Sequence, residues 1–451
     1  MQTALTATYT DFEIEVYETV TRLPPRPARL RKERNLPMEP LILLVNTNPG
    51  FGSARLALSW LQMGARVEAV APAVHPVRKV RGVRRVHRYR GSRPLTSLRE
   101  ALAAARPDLV IPCDDLARTY LNTLRASRHD AEWHELIEKS LGDSAHYEVF
   151  TNRTAVIATA KRAGVAVADS VELSSIDALP AAMEQMGLPA VLKSDQTAGG
   201  TGVRMVSSVA EAQAAFPRMS APPSVARIVK RALLDKDTNL VPRFVRQNRS
   251  AMHLQRFVKG KIATASAACW RGELLAVVCV EVLETREDRG PAAVVKMIDH
   301  PQMKASVAAM VRALGVSGFC GLDFMIEEET GTARLIEMNA RAAQMHHLRL
   351  GPGRNPVAAV YAALTGNAPR VAEERIALDT VALFPNAWLA PNADEYLQAA
   401  WQDVPWEEPA LVEFGVRMKQ AQNRFSFTYA DLARLKASIG GRFRLRHAWN
   451  S

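Results

Sequence analysis

The segment Leu335-Ile-Glu-Met-Asn-Ala-Arg341 puts Glu337, Asn339 and Arg341 at every second position, with apolar residues between them. In an extended strand, residues two apart share a face, so these three side chains project together and Ile336 and Met338 are expected to face a core. Upstream, Gly321-Leu-Asp-Phe-Met-Ile326 reads as a neighbouring strand, and Glu328 to Gly331 as the turn of a hairpin joining the two. Asp323 then joins Glu337 and Asn339 across the hairpin. Polar residues bracketed by so much apolar sequence favour a site over a solvated sheet face. Two carboxylates and an amide oxygen suit a hard cation such as Mg²⁺, which takes a few protein ligands and completes its shell from phosphate oxygens.

A second signal is Lys193-Ser-Asp-Gln-Thr-Ala-Gly-Gly-Thr-Gly-Val203. A strand ends in a lysine, and a glycine-rich turn leads into another strand. Gly199, Gly200 and Gly202 would let backbone N–H groups close over phosphate oxygens, and Thr197 and Thr201 add hydroxyl donors. It is not a Walker loop, because no Gly-Lys-Ser/Thr and no helix follow. A tight glycine hairpin is the plainer reading, and this stretch alone leaves both open.

The chain divides around these signals. Residues 1–38 carry prolines among Arg22, Arg26, Arg29, Arg31, Lys32 and Arg34 and read as a basic N-terminal arm. In 39–150, the unbroken apolar run Leu41 to Val45 predicts a parallel strand buried on both faces. Strands at 66–71 and 108–112, separated by helical patterns, complete an open parallel α/β domain. Asn48-Pro-Gly-Phe-Gly52 occupies the place of a dinucleotide fingerprint without its three glycines, which argues against nicotinamide. Residues 151–254 carry the glycine turn and 255–370 the polar strand pair, an α+β arrangement. The stretch 371–451 reads as a small appended C-terminal subdomain. Its Trp388, Trp401 and Trp406 could pack on their own core or on a second subunit, so a homo-oligomer stays open.

Composition narrows the classes. At 48% hydrophobic and 23% charged, the 451-residue chain is too apolar for a disordered one. No apolar run approaches the ~18 residues of a membrane span. Asp11, Glu13 and Glu15 near the start are unlike a secretory signal, so a cytoplasmic protein with no membrane partner is expected. Cys113, Cys269, Cys279 and Cys320 show no zinc-ligand spacing and read mostly as buried thiols. A net charge of +12 admits nucleic acid, anionic membrane or small polyanions. The basic clusters Arg78 to Arg93 and Arg243, Arg246, Arg249 and Arg256 come without aromatic-rich strands, which argues against nucleic acid.

The lysine–glycine turn followed by the Asp…Glu-x-Asn-x-Arg strands resembles the ATP-grasp superfamily over roughly residues 40–366. The resemblance is to its carboxylate–amine ligase-like branch, the type of carbamoyl phosphate synthase large chain and biotin carboxylase. It implies an ATP-grasp fold: a pre-ATP-grasp α/β domain, a small glycine-loop subdomain and a larger metal-binding subdomain. By the same resemblance, ATP would be held by Arg153, Lys193, the glycine turn and the hinge Gln255, Arg256, Phe257 and Val258. Arg153 stands where the family usually has lysine, Gln255 where it more often has glutamate, and Ile262 where an acidic ribose ligand is usual. Asp323, Glu337 and Asn339 match the ligands of Mg²⁺ (with Mn²⁺ as a substitute). Arg341 matches the arginine that stabilises the transferring phosphoryl group, and Lys296 could reach the terminal phosphate. The implied activity is ADP-forming ligation of a small-molecule carboxylate to an amine through an acyl phosphate. The alternatives are a carboxylase acting through carboxyphosphate and a non-catalytic nucleotide- or nucleic-acid-binding protein. The pair His346 and His347 invites a metal reading, but a packing role fits neighbouring positions better.

Overall fold

A computed structural model describes residues 39–195, 202–222, 250–288, 290–351, 353–368 and 378–424, together with Ser224, Val225 and Ile228. Strand β1 (Leu41–Val45) is buried along its whole length, as an unbroken apolar run requires. It sits inside a parallel sheet of order β3-β2-β1-β4, with β2 Arg66–Ala71, β3 Val83–Arg88 and β4 Leu109–Pro112. The order reverses between β1 and β4, so the carboxyl ends of these two strands frame a crevice. Buried Asp114 fastens that point: it accepts from Thr47 N and Thr47 Oγ1, both at 2.7 Å, and caps the helix Asp115–Ala126 through Ala117 N. The basic stretch forms the edge strand β3, whose exposed Arg84, Arg85 and Arg88 discourage pairing with another chain.

The second unit is an antiparallel sheet of order β5-β8-β6-β7, formed by β5 Ser170–Leu173, β6 Ala190–Ser194, β7 Val203–Val206 and β8 Met252–Arg256. Ala190, Leu192, Met252 and Leu254 pack under the helices Leu179–Met186 and Val209–Ser220. The alternating residues Lys193, His253 and Gln255 therefore point the other way. Gln255 lies within β8, so the small sheet runs two residues past the expected boundary at 254.

The third unit is a seven-stranded sheet of order β13-β12-β9-β10-β11-β14-β15. Its strands are β9 Gly260–Trp270, β10 Glu273–Thr285, β11 Ala292–Met297, β12 Gly318–Glu327, β13 Ala333–Asn339, β14 Thr380–Leu383 and β15 Trp401–Asp403. One face (Ala263, Ala265, Leu322, Phe324) packs on the helices Arg153–Arg162 and Pro301–Ala313. The opposite face carries the register row Glu337–Asp323–Thr264 and packs, through Ala268 and Phe319, against the first unit.

Two expectations are corrected. The described residues 378–424 do not stand apart from the third sheet: β14 pairs antiparallel with β11, and β15 pairs with β14. Short segments with few apolar residues gain more burial by extending an existing sheet than by enclosing a core. Their tryptophans pack inside the chain, with Trp388 4.8 Å from Phe384 and 6.5 Å from Trp406. Second, Ile336 does not face the core. A bulge between the pairs Asp323↔Glu337 and Phe324↔Leu335 leaves Ile336 as the extra residue, while Leu335 and Met338 are buried. Among the described helices none is long and apolar enough to cross a membrane.

Asp403 locks the last strand to the first unit. Its carboxylate, 1% exposed, pairs with Arg55, whose side chain is 11% exposed, and lies 2.7 Å from Nε2 of buried His347. Replacing Asp403 by asparagine leaves the largely covered Arg55 guanidinium without its counter-charge. The expected loss is about 3 kcal/mol of unfolding free energy, read by urea denaturation.

Candidate active site

Asp323 and Glu337 are direct cross-strand partners on β12 and β13, and Asn339 follows two residues along the same face. Asn339 Nδ2 donates to Asp323 Oδ2 at 3.2 Å, and the Thr264 hydroxyl on β9 donates to Asp323 Oδ1. Arg341, just past the strand, donates to Asn339 Oδ1 at 3.2 Å and forks onto Asp115 at 2.9 and 3.2 Å. Asp115 opens the helix that follows β4, so this bond joins the polar strand pair to the crevice of the first sheet.

The small sheet supplies the facing charges. Lys193 is only 6% exposed. Burial lowers its ammonium to about 8, with Arg153 adding to the shift and Glu337 and Asp323 opposing it. Arg153 begins the helix Arg153–Arg162 and reaches both sheets, with Nε 3.0 Å from Asp195 Oδ1 and Nη1 2.8 Å from Glu337 Oε2. Burial works against this guanidinium's charge, but the two carboxylates outweigh it and hold Arg153 above its ordinary value. Behind it, His253 Nε2 lies 2.9 Å from Asp195 Oδ2 and His253 Nδ1 lies 3.0 Å from Thr154 Oγ1. Burial first, and then the Glu337 carboxylate, push Asp323 up to about 6 against the Thr264 hydrogen bond and the charges of Arg341 and Lys193. A carboxyl raised by burial and a neighbouring acid is a common mark of a functional site.

The hinge has mixed availability. Gln255 is buried and donates to the carbonyl of bulged Ile336 at 3.3 Å, linking the two sheets. Arg256 turns to the helix-covered side, where it meets Gln185 O at 3.2 Å and Asp169 at 3.6 Å, so its backbone alone is left for a nucleotide. Val258 is buried, while Phe257 and Ile262 are exposed. Gly202 accepts from Ser194 N at 2.8 Å at the foot of the glycine turn. Thr197, Gly199, Gly200, Thr201, Arg243, Arg246 and Arg249 lie outside the described residues.

Lys296 is not brought to the site. The row Asp323–Thr264–Val280–Met297 puts the adjacent Lys296 on the opposite face of the sheet, 3.6 Å from Asp379. His346 is packed between the carbonyls of Ala267 and Cys320, both at 3.1 Å, and burial lowers it to about 4. Among the described residues no group of three His, Cys, Asp or Glu forms a metal cluster, so a cation here would rest on two carboxylates and the amide oxygen. Sequence reasoning passed over Asp195, His253, Thr264 and Asp115. The first two were legible as Lys193-x-Asp195 and His253-x-Gln255, which have the strand period of two; Thr264 and Asp115 owe their roles to long-range pairing.

Residues 152–350 match the family described as carbamoyl-phosphate synthase L chain, ATP binding domain. The N-terminal section of the carbamoyl phosphate synthase large chain of Methanopyrus kandleri is 25% identical over 211 residues, 45% of this chain and 33% of that one. The chain thus spans about a third of the length of that relative. Among solved structures, N5-carboxyaminoimidazole synthetase of Staphylococcus aureus with ADP superposes at a TM-score of 0.51 with 15% identity, covering 74% of this chain and 80% of that one. An L-amino acid ligase from Bacillus licheniformis superposes at 0.50 with 16% identity, covering 72% and 75%. The fold is that of the ATP-grasp proteins.

A carboxyl whose folded-state pKa is raised costs stability once it ionises: its contribution is full below pH 4 and lost as pH rises through about 6. Asp323→Asn is therefore expected to stabilise the ligand-free protein at pH 7.5 by about 1–2 kcal/mol, after allowance for its partial exposure, and by less at pH 5. Urea titrations at the two pH values check this.

Proposed function

We propose that the protein is an ATP- and Mg²⁺-dependent ligase that activates a carboxylate as an acyl phosphate, with release of ADP, and couples it to an amine. The observation that carries this reading is the facing of Asp323 and Glu337 on one sheet by buried Lys193 on the other and by half-buried Arg153 at the start of the adjoining helix. The donor set suits Mg²⁺: hard oxygens, two of them anionic, with room in its coordination shell left to phosphate. Bound there, the ion would neutralise phosphate charge; Mn²⁺ has the same preference for oxygen.

The chain's own residues do the rest by position and charge. Lys193 and Arg153 hold the phosphate tail, and the backbone of 255–258 meets the base. Arg341, kept in place by Asp115, faces the transferring phosphoryl group. ATP and a carboxylate repel each other until such groups screen them, and no covalent nucleophile on the protein is needed. The substrate carboxylate attacks the γ-phosphorus and ADP leaves; the amine then displaces phosphate. The crevice at β1 and β4, next to Asp115, is the place for the substrates, as in other open parallel sheets. The likeness to N5-carboxyaminoimidazole synthetase supports a second reading, carboxylation through carboxyphosphate, in which bicarbonate takes the place of the substrate carboxylate.

ADP release, screened over amino acids and other carboxylates alone and in pairs with amines, separates the readings. Ligation predicts turnover that needs both partners, whereas carboxylation predicts turnover that needs bicarbonate. No ADP with any pair, despite measurable ATP binding, would leave a binding protein. Glu337→Gln is expected to lower turnover by at least ~10²-fold with an unchanged circular dichroism spectrum. Wild-type turnover in this variant would refute the assignment of the ion to this strand pair.

A further inference from the structure

In the ligand-free protein, each of the three residues assigned to the cation is already engaged by a donor of the same chain. Asp323 receives the Thr264 hydroxyl and the Asn339 amide. Asn339 Oδ1 receives Arg341. Glu337 Oε2 has the Arg153 guanidinium at 2.8 Å. The Thr264 and Asn339 donors are neutral and Arg341 meets only the Asn339 amide, whereas Arg153 sets a full positive charge directly on a carboxylate assigned to the cation. Arg153 also has a second anchor, since Asp195, backed by buried His253, sits against its Nε. A planar guanidinium can touch two carboxylates on different sheets at once, which a lysine ammonium on its single stem does less well. The contact with Glu337 is close but poorly aligned: Arg153 Nη1 is buried and makes no well-directed hydrogen bond. Arg153 is thus charge-paired yet still has an N–H to give, and phosphate oxygens are the acceptors that would take it.

We propose that Arg153 is an exchange latch, which in the ligand-free protein neutralises Glu337 and disfavours a divalent cation, and which a nucleotide phosphate draws off so that the carboxylate is released to the cation. The proposal rests on the assignment of the cation to Asp323, Glu337 and Asn339. Asp195 and His253 act in it as positioning residues that keep the guanidinium between the two sheets. The latch makes cation binding follow nucleotide binding and sets two effects of one side chain in opposition: Arg153 weakens the bare cation and strengthens the nucleotide.

The test titrates full-length protein with Mn²⁺, followed by its electron paramagnetic resonance signal, with and without ADP. Nucleotide affinity is measured separately by calorimetry. Arg153→Met is expected to bind Mn²⁺ alone about tenfold more tightly than wild type and ADP about tenfold more weakly, equal to roughly 1.4 kcal/mol each way. Lys193→Met is the control, because it removes a nearby charge that does not touch Glu337, and it should raise the affinity for bare Mn²⁺ by much less. Arg153→Lys, which keeps the charge, should fall between wild type and Arg153→Met and serves should the methionine variant fail to fold. Unchanged Mn²⁺ affinity in both Arg153 variants, or an equal gain in Lys193→Met, would overturn the latch. Absence of any ADP binding to wild type would instead overturn the nucleotide reading beneath it.

Discussion

Glu337 and Asp323, both half-buried, face each other across neighbouring strands, and much of the surrounding structure answers the charge they create. Two carboxylates at such a distance repel, and burial raises the cost; Asp323 bears it as a raised pKa. Positive charge comes from three directions: Lys193 from the small sheet, Arg153 from a helix start, and Arg341 from the end of the strand itself. Each is buried or tied to an acid elsewhere, so none can leave without exposing another group. The three units of the chain are joined through these contacts, with Arg341–Asp115 reaching the first unit and Arg153–Asp195 the second.

That arrangement explains why the site is built on strands instead of loops. Strand register fixes the separation of Asp323 and Glu337, and the bulge at Ile336 resets the phase so that Leu335 and Met338, three residues apart, are both buried. The same bulge turns the Ile336 carbonyl toward Gln255, which makes one irregularity serve both the polar strand and the hinge.

Much of this was legible in the sequence. The apolar run of β1, the alternation of Glu337, Asn339 and Arg341, and the turn at 328–331 follow local periodicity, and local periodicity is what a single sequence carries. The bulge was not legible, because Ile336 has the same chemistry whether it faces a core or a bend. Lys296 lies one residue from Met297, and its face depends on register counted through β10, β9 and β12, which no local pattern encodes. The C-terminal strands carry little local signal for a related reason: β14 and β15 are short and make sense only as additions to β11. Asp115 has no local signal at all, since its partner Arg341 lies 226 residues away.

The most direct test of the account is a crystal structure of the protein with a non-hydrolysable ATP analogue and Mg²⁺. The account predicts one ion about 2.1 Å from oxygens of both Asp323 and Glu337, with phosphate oxygens completing its shell and Lys193 on the same phosphates. An ion bound elsewhere, or a triphosphate that leaves Asp323 and Glu337 bonded only to the protein, would contradict it.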